Sequence, residues 1–448
     1  MNKRLFSVLL VLMMAVIGVF GSQAQETVDI TIRCKANVQG GEGWRCDNFS
    51  EIESQVEEEL GIDLNLTLIQ DDIGWEDYKT EFLLSTEAGD APDIILSGHE
   101  DIGSWAPAGY IIPLDDKLGD YPEFDDVVST LWESQKWDGQ IWGVPQDAEA
   151  RPIFYSKLLL SDLGWSDEEI ESLPDRVASG DFTFDDMVAT AQQAIEEGII
   201  EEGFGYWHRG SNGFDWLMPY YAMGGEILGE DGKLVWDSEA LLRVYEAVAS
   251  WVETGITRSD MLGLSSSEVV YPAVSSAEEV LFFQGGSWNW ANMAKNYVAD
   301  RGGNDYLLEN IGLILYPAMS AGTPVTVTHP LSYMISSDSE NPDVAMALIA
   351  AVTTPEANNR HAIDSFHLGI LNSQVESEAY QNDPVLSSAH YMLDYTRVAP
   401  NHPDWSAWTN AYWLGIQAAE TGASTPQEAL DQATAQLQNE VGDNITYK

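Results

Sequence analysis

The sequence predicts an α/β protein of two lobes. Three observations lead there: a strand–helix–strand–helix–strand rhythm over the first hundred residues, a chain too long for one compact core, and no Pro/Ser-rich linker to hold domains apart. A chain of that kind crosses between its lobes more than once.

Lys3 and Arg4 precede an apolar run from Leu5 to Phe20, and Gly21-Ser-Gln-Ala24 follows it. A basic start, a short apolar segment and small residues before a cut describe a secretory signal peptide cleaved near Ala24. The run is short for a membrane span, and no later stretch approaches that length. No cysteine sits at the boundary, so a lipid anchor is not indicated. The expected location is periplasmic or extracellular.

About 424 residues remain, with a hydrophobic fraction of 44% for the whole chain, enough for two cores. Val28–Arg33 alternates as a strand does. A glycine-rich turn, Gly40-Gly-Glu-Gly43, leads to a helix expected over 48–60 and ended by Gly61. A second strand follows at 63–69, a helix at 75–88 ended by Gly89, and an apolar third strand at 91–96 that reads as buried on both faces. Ligands of such lobes sit beyond the carboxyl ends of the strands. That rule points at three loops: 37–48, 97–101 and 146–151.

Twenty basic and 73 acidic residues leave a formal charge of −53. Such a surface repels nucleic acid and anionic lipid, and it disfavours phosphate or dicarboxylate cargo. Carboxylates at this density keep a surface hydrated in saline media. Cys34 and Cys46 are the two cysteines. In an oxidising compartment they would pair and close a loop of about a dozen residues, stabilising by about 3 kcal/mol; two free buried thiols are the alternative. The seven histidines are scattered without HExxH spacing, and no nucleotide-binding glycine loop or nucleophile elbow occurs. Neither cofactor, metal nor catalytic residue is expected.

Several fragments carry a resemblance. Ala91-Pro-Asp-Ile-Ile95, Trp105-Ala-Pro-Ala-Gly109, Trp142-Gly-Val-Pro145, Pro152-Ile-Phe-Tyr-Ser-Lys157, Phe282-Phe-Gln-Gly-Gly-Ser-Trp288, Asn341-Pro-Asp-Val-Ala345 and Pro400-Asn-His-Pro403 stand in the order found in one family. Together they resemble the carbohydrate-binding extracellular solute-binding proteins of bacterial ABC importers, the maltose-binding-protein family. The resemblance implies a type II periplasmic-binding-protein fold, hinge-bending, with discontinuous lobes. Lobe one would take 25–147 and 333–375, and lobe two 148–332 and 376–448. It implies a monomeric, non-enzymatic protein that captures a sugar or short oligosaccharide between its lobes and delivers it to permease subunits in the membrane.

A sugar offers hydroxyl rims and an apolar C–H face, so its site needs planar polar groups and flat aromatics. The matching loops supply Trp44, Arg45 and Asn48, then Glu100, then Glu149, which stands where the family has a ligand-contacting glutamate. Where the family's maltose binders carry a tryptophan and an Asp-Arg pair, this chain has Ser97 and Asp101, which argues against maltose. Asp215, Trp216, Trp288 and Trp408 fall in the regions that supply contacts and stacking platforms from lobe two. Each has a plainer reading: Trp44, Trp216, Trp288 and Trp408 as packing, Arg45 as a surface ion pair, Glu100 as an exposed helix-start carboxylate, and Glu149 as a hinge residue paired with Arg151. Two rival functions remain open at this level. A secreted glycoside hydrolase would use two of the many carboxylates, and a cationic peptide or polyamine carrier would show salt-sensitive affinity.

Overall fold

The computed structural model describes residues 27–319 and 322–448, so the expected signal peptide lies outside the described residues. β1 (Thr27–Lys35) buries Val28, Ile30 and Ile32 in the alternation read from the sequence. α1 runs Trp44–Leu60, four residues earlier than expected. The glycine turn closes at Gly43, and that difference moves Trp44, Arg45 and Asn48 from a loop onto a helix. Cys34 on β1 and Cys46 on α1 are disulfide-bonded with their Cα atoms 5.9 Å apart. β2 (Asp63–Asp71) and α2 (Trp75–Ala88) follow. Gly61 and Gly89 end the two helices in left-handed geometry, at φ 69° and 71°, where other residues are strained. β3 (Ile94–Gly98) is buried throughout and starts after Pro92, which lacks a backbone donor.

The first sheet is completed by β4 (Val144–Pro145) and by a strand from far along the chain. The second sheet is built from β5 (Ile153–Ser156), β6 (Tyr206–Trp207), β7 (Phe282–Gln284) and β8 (Ile311–Ile314). β9 (Leu331–Ile335) is the strand that returns to the first sheet. The order there is β2-β1-β3-β9-β4, and in the second sheet β8-β5-β7-β6. β1 pairs parallel with both neighbours, Thr27 opposite Asp63 and Ile32 opposite Ile94. β9 runs antiparallel, Leu331 opposite Gly98 and Ser332 opposite Pro145. The architecture is the two-lobed type II arrangement, and the first sheet is discontinuous in sequence.

The crossings lie side by side. Ala148 bridges antiparallel to Leu368, while the amides of Glu149 and Arg151 donate to the hydroxyls of Thr328 and Thr326 at 3.0 and 2.7 Å. Three chain segments thus run together between the sheets and place their side chains where the lobes meet.

Each lobe has its own core. Ile30, Ile32, Phe49, Ile94, Leu96 and Tyr333 fill the first. The second is aromatic: Phe184 packs 5.5 Å from Tyr206, 5.4 Å from Trp251 and 5.3 Å from Tyr316. Among the described residues no helix is long and apolar enough to cross a membrane.

Candidate functional site

The crossing segments carry Asp147, Glu149, Arg151, His329 and His367, all buried. Arg45, projecting from the first turn of α1, reaches them. Its guanidinium lies 2.7 Å from Asp147 and 2.6 Å from Glu42. Burial pushes the Asp147 carboxyl up, but Arg45 and then His367 and His361 outweigh it and hold the group well below the usual carboxylate range. Glu149 sits 2.7 Å from Arg151, and the same balance of burial against Arg151 and His367 holds it low. Arg151 also approaches Asp215 at 3.6 Å, bringing in a carboxylate of lobe two.

Arg151 lies between two aromatic rings, 5.8 Å from the centre of Phe214 and 5.0 Å from that of Trp288. Trp288, at the start of the helix Asn289–Asn296, is partly exposed and lies 12° from parallel with His367 at 5.8 Å. Phe214 stacks on His329 at 4.0 Å and faces Trp405 at 6.2 Å.

Beside this aromatic row, Lys79 of α2 binds Glu100 at 2.7 Å and Asp101 at 2.8 Å. Burial raises the Asp101 carboxyl, while Glu100, also raised by burial, is carried the other way by Lys79 and His329. His99 is fully buried, and burial together with His329 lowers its imidazole to about 4. Several buried polar atoms along the junction have no hydrogen-bond partner, among them His99 Nε2, Arg151 Nε and Ser287 Oγ. Each such atom costs about 1–3 kcal/mol if nothing satisfies it.

The fold brings Arg45, Glu100, Glu149, Asp215 and Trp288 to this junction, though Arg45 is committed to Glu42 and Asp147. Asn48 is engaged elsewhere: its amide donates to the Ala357 carbonyl at 2.9 Å and its oxygen accepts from Arg360 at 3.1 Å. Trp44 is half-buried under the same Arg360, 5.8 Å away. Trp216 and Trp408 are core side chains. Trp216 is 2% exposed and packs on His208 at 4.7 Å and Trp413 at 5.8 Å. Trp408 is 0% exposed and enclosed by Trp236, Trp405 and Tyr220. The platform role expected of Trp216 and Trp408 is therefore corrected: an indole sealed in a core has no face to offer.

Residues outside the expected set complete the junction. Arg151, Asp147 and His99 lie in the loops that the strand-end rule points to. Phe214 and Trp405 neighbour expected positions. His329 and His367 carried no signal, because they reach the site on crossing segments distant in sequence.

The family model for bacterial extracellular solute-binding proteins matches residues 54–359, more than half of the chain. A chain from Brucella abortus (strain 2308), whose name says only that it is a binding protein, is 23% identical over 394 residues, 86% of this chain and 88% of that one. Among solved structures, the GacH receptor of Streptomyces glaucescens GLA.O, solved unliganded and with acarbose, matches with a TM-score of 0.73 at 18% identity, over 94% of this chain and 100% of that one. The sugar-binding protein MalE of Xanthomonas citri matches with a TM-score of 0.73 at 16% identity, over 92% and 97%. A solute-binding protein of Thermotoga lettingae bound to α-D-tagatose matches with a TM-score of 0.70 at 17% identity, over 93% and 99%.

Proposed function

The chain belongs to the family of bacterial extracellular solute-binding proteins, and we propose that its solute is a neutral sugar or short oligosaccharide held between the lobes for delivery to an ABC permease. One observation carries the cargo reading. A partly exposed indole, Trp288, stands beside two buried polar atoms without a hydrogen bond, Ser287 Oγ and Arg151 Nε, the latter 3.6 Å from Asp215. Hydroxyl groups are both donors and acceptors, so a polyol satisfies such atoms while its C–H face covers the ring. Glu149 and Asp215 face Arg151 within the protein, so the Trp288 end of the junction offers a cation no free carboxylate. The acarbose and α-D-tagatose bound in two of these structures of the same fold support this class of cargo.

The site we propose consists of Glu149, Arg151, Asp215, Phe214 and Trp288, with Glu100 at its edge. Lobe one is taken as 25–147 and 333–375, lobe two as 148–332 and 376–448; the assignment of β9 to the first sheet supports a boundary near residue 332. Capture closes the lobes because contacts from both exist only in the closed state, so cargo shifts that population. Export through a signal peptide ending near Ala24 fits the extracellular family, and a single chain suffices for the site. We read the chain as a binder and not an enzyme, in keeping with its family and its structural neighbours.

Calorimetric titration of the mature protein with neutral mono- and oligosaccharides at two salt concentrations tests the reading. Micromolar affinity for one sugar, unchanged by salt and without product formation, is the expected result. Sugar release at ordinary enzyme rates, or a salt-sensitive response to polyamines alone, would overturn it.

A further inference from the structure

His99, Glu100 and His329 each offer one ligand atom, and the three atoms lie within 4.8 Å of one another. The sequence separates the first two from the third by about 230 positions, so no motif announces the group; it exists because β3 and the β9 approach are neighbours in one sheet. We propose that this cluster binds a divalent transition metal of the zinc class.

The tautomer of His99 favours it. Asn401 donates through Nδ2 to the carbonyls of Ser134 and Lys136 at 2.7 and 3.0 Å. Its Oδ1 is thereby an acceptor, and His99 Nδ1 lies 2.9 Å from it. The proton then belongs on Nδ1, which leaves a lone pair on Nε2, a fully buried atom without a partner. A metal-ligating imidazole is held the same way, by an amide or carboxylate on its other nitrogen. His329 Nε2 and Glu100 Oε2 share a hydrogen bond of 2.6 Å. A metal ion entering here takes the Nε2 lone pair; the proton of that bond moves to Nδ1 of a neutral ring, or leaves a charged ring for solvent. Zinc about 2.0–2.1 Å from each ligand needs the three atoms about 3.4 Å apart, within the spacing the cluster already has.

The position of the nearest cation separates this group from its neighbour: Lys79 meets Glu100 through Oε1 and leaves Oε2 to the imidazoles. Lys79 is shared by Glu100 and Asp101, so the cluster retains one negative charge beside two imidazoles. Asp147, His361 and His367 are also near enough to ligate. There, however, the Arg45 guanidinium stands 2.7 Å from Asp147 and 3.3 Å from His367 Nε2. A permanent cation already occupies that centre, and a metal would have to expel it.

Three protein ligands leave a fourth position for an outside oxygen. Phe214 of lobe two stacks over the cluster, its ring centre 4.0 Å from that of His329 and 6.3 Å from that of His99, so the cluster lies where the lobes meet.

The test is titration of the chelator-stripped mature chain with Co²⁺ alone, read by visible absorption, then competition by Zn²⁺. One equivalent with the intense bands of four-coordinate cobalt, displaced by zinc, is expected. His99→Gln and His329→Gln should each weaken it at least tenfold, while His361→Gln leaves it unchanged. X-ray absorption of the zinc-loaded unmodified chain gives a reading that needs no variant: two imidazoles in the first shell. A shell of oxygens alone, an absence of the cobalt bands, or undiminished binding in the His99→Gln/His329→Gln double variant would assign the metal to surface carboxylates and overturn the proposal. Sugar binding is measured separately, so neither result depends on the other.

Discussion

The guanidinium of Arg45 meets the carboxylate of Asp147 at 2.7 Å with both side chains closed to solvent, fastening the first turn of α1 to the segment that leaves β4 for the second lobe. Two charges taken out of water gain little as a pair over an apolar replacement, but losing one partner strands the other. Arg45→Met should therefore lower unfolding stability by about 3–5 kcal/mol, seen as an earlier urea midpoint. The double variant with Asp147→Asn should recover most of that loss. An equal loss in the double variant would show that Arg45 acts by packing and not by pairing.

Trp288 and Trp408 should separate binding from stability. Trp288→Ala removes a partly exposed ring and should weaken sugar affinity tenfold or more, with a small change in melting temperature. Trp408→Ala opens a cavity in a sealed aromatic core and should cost about 3–5 kcal/mol. Affinity of the molecules that stay folded should not change. Calorimetric binding and thermal melts on both variants decide the matter, and a reversed pattern would move the platform to Trp408.

Reduction of the Cys34–Cys46 bond, or the pair Cys34→Ser/Cys46→Ser, releases a loop with a sequence separation of 12. Chain entropy puts the loss at about 3 kcal/mol. The first lobe should melt earlier in urea, and the aromatic second lobe should be little affected. Near-ultraviolet and far-ultraviolet dichroism followed together will distinguish the two transitions.

His361 sets a pH dependence. Burial, chiefly, lowers its imidazole from 6.5 to about 4, with Asp147 opposing and His367 and Arg45 adding to the effect. The unfolded chain thus binds a proton that the folded chain refuses. Stability from this group is complete above about pH 6.5 and is lost as pH falls toward 4. Relative to His361→Gln, the unmodified protein should lose about 2–3 kcal/mol across that window. Urea midpoints of both proteins at several pH values measure the difference, and parallel curves would mean that the imidazole takes up its proton at the same pH folded as unfolded.

How much of this was legible in the sequence depended on distance along the chain. Alternation in Val28–Arg33, the glycines at 61 and 89, and the apolar run after Pro92 are local signals, and the strands and helices they mark appear with shifts of a few residues. The start of α1 was misplaced because a glycine turn signals a break without fixing where the helix resumes. Rank order of motifs along the chain was enough to identify the family, since order survives when identity falls to 16–23%.

The site was legible only in part. Loops at strand ends pointed to Glu100, Glu149 and Arg45. What each could do was decided elsewhere. Arg45 is spent on Asp147, Asn48 on Ala357 and Arg360, and Trp216 and Trp408 on the core. An indole has the same composition as a platform or as packing, and only burial tells them apart.

Length, charge and motif order, all carried by the chain itself, determined an acidic, two-lobed protein of the bacterial extracellular solute-binding family. Which side chains face one another was decided by the tertiary structure, because the crossing segments at 146–151, 326–330 and 366–368 become neighbours only when both sheets have formed. His329 and His367 reach Glu100 and Glu149 across some two hundred residues of intervening chain, a distance over which no periodicity in the sequence reports.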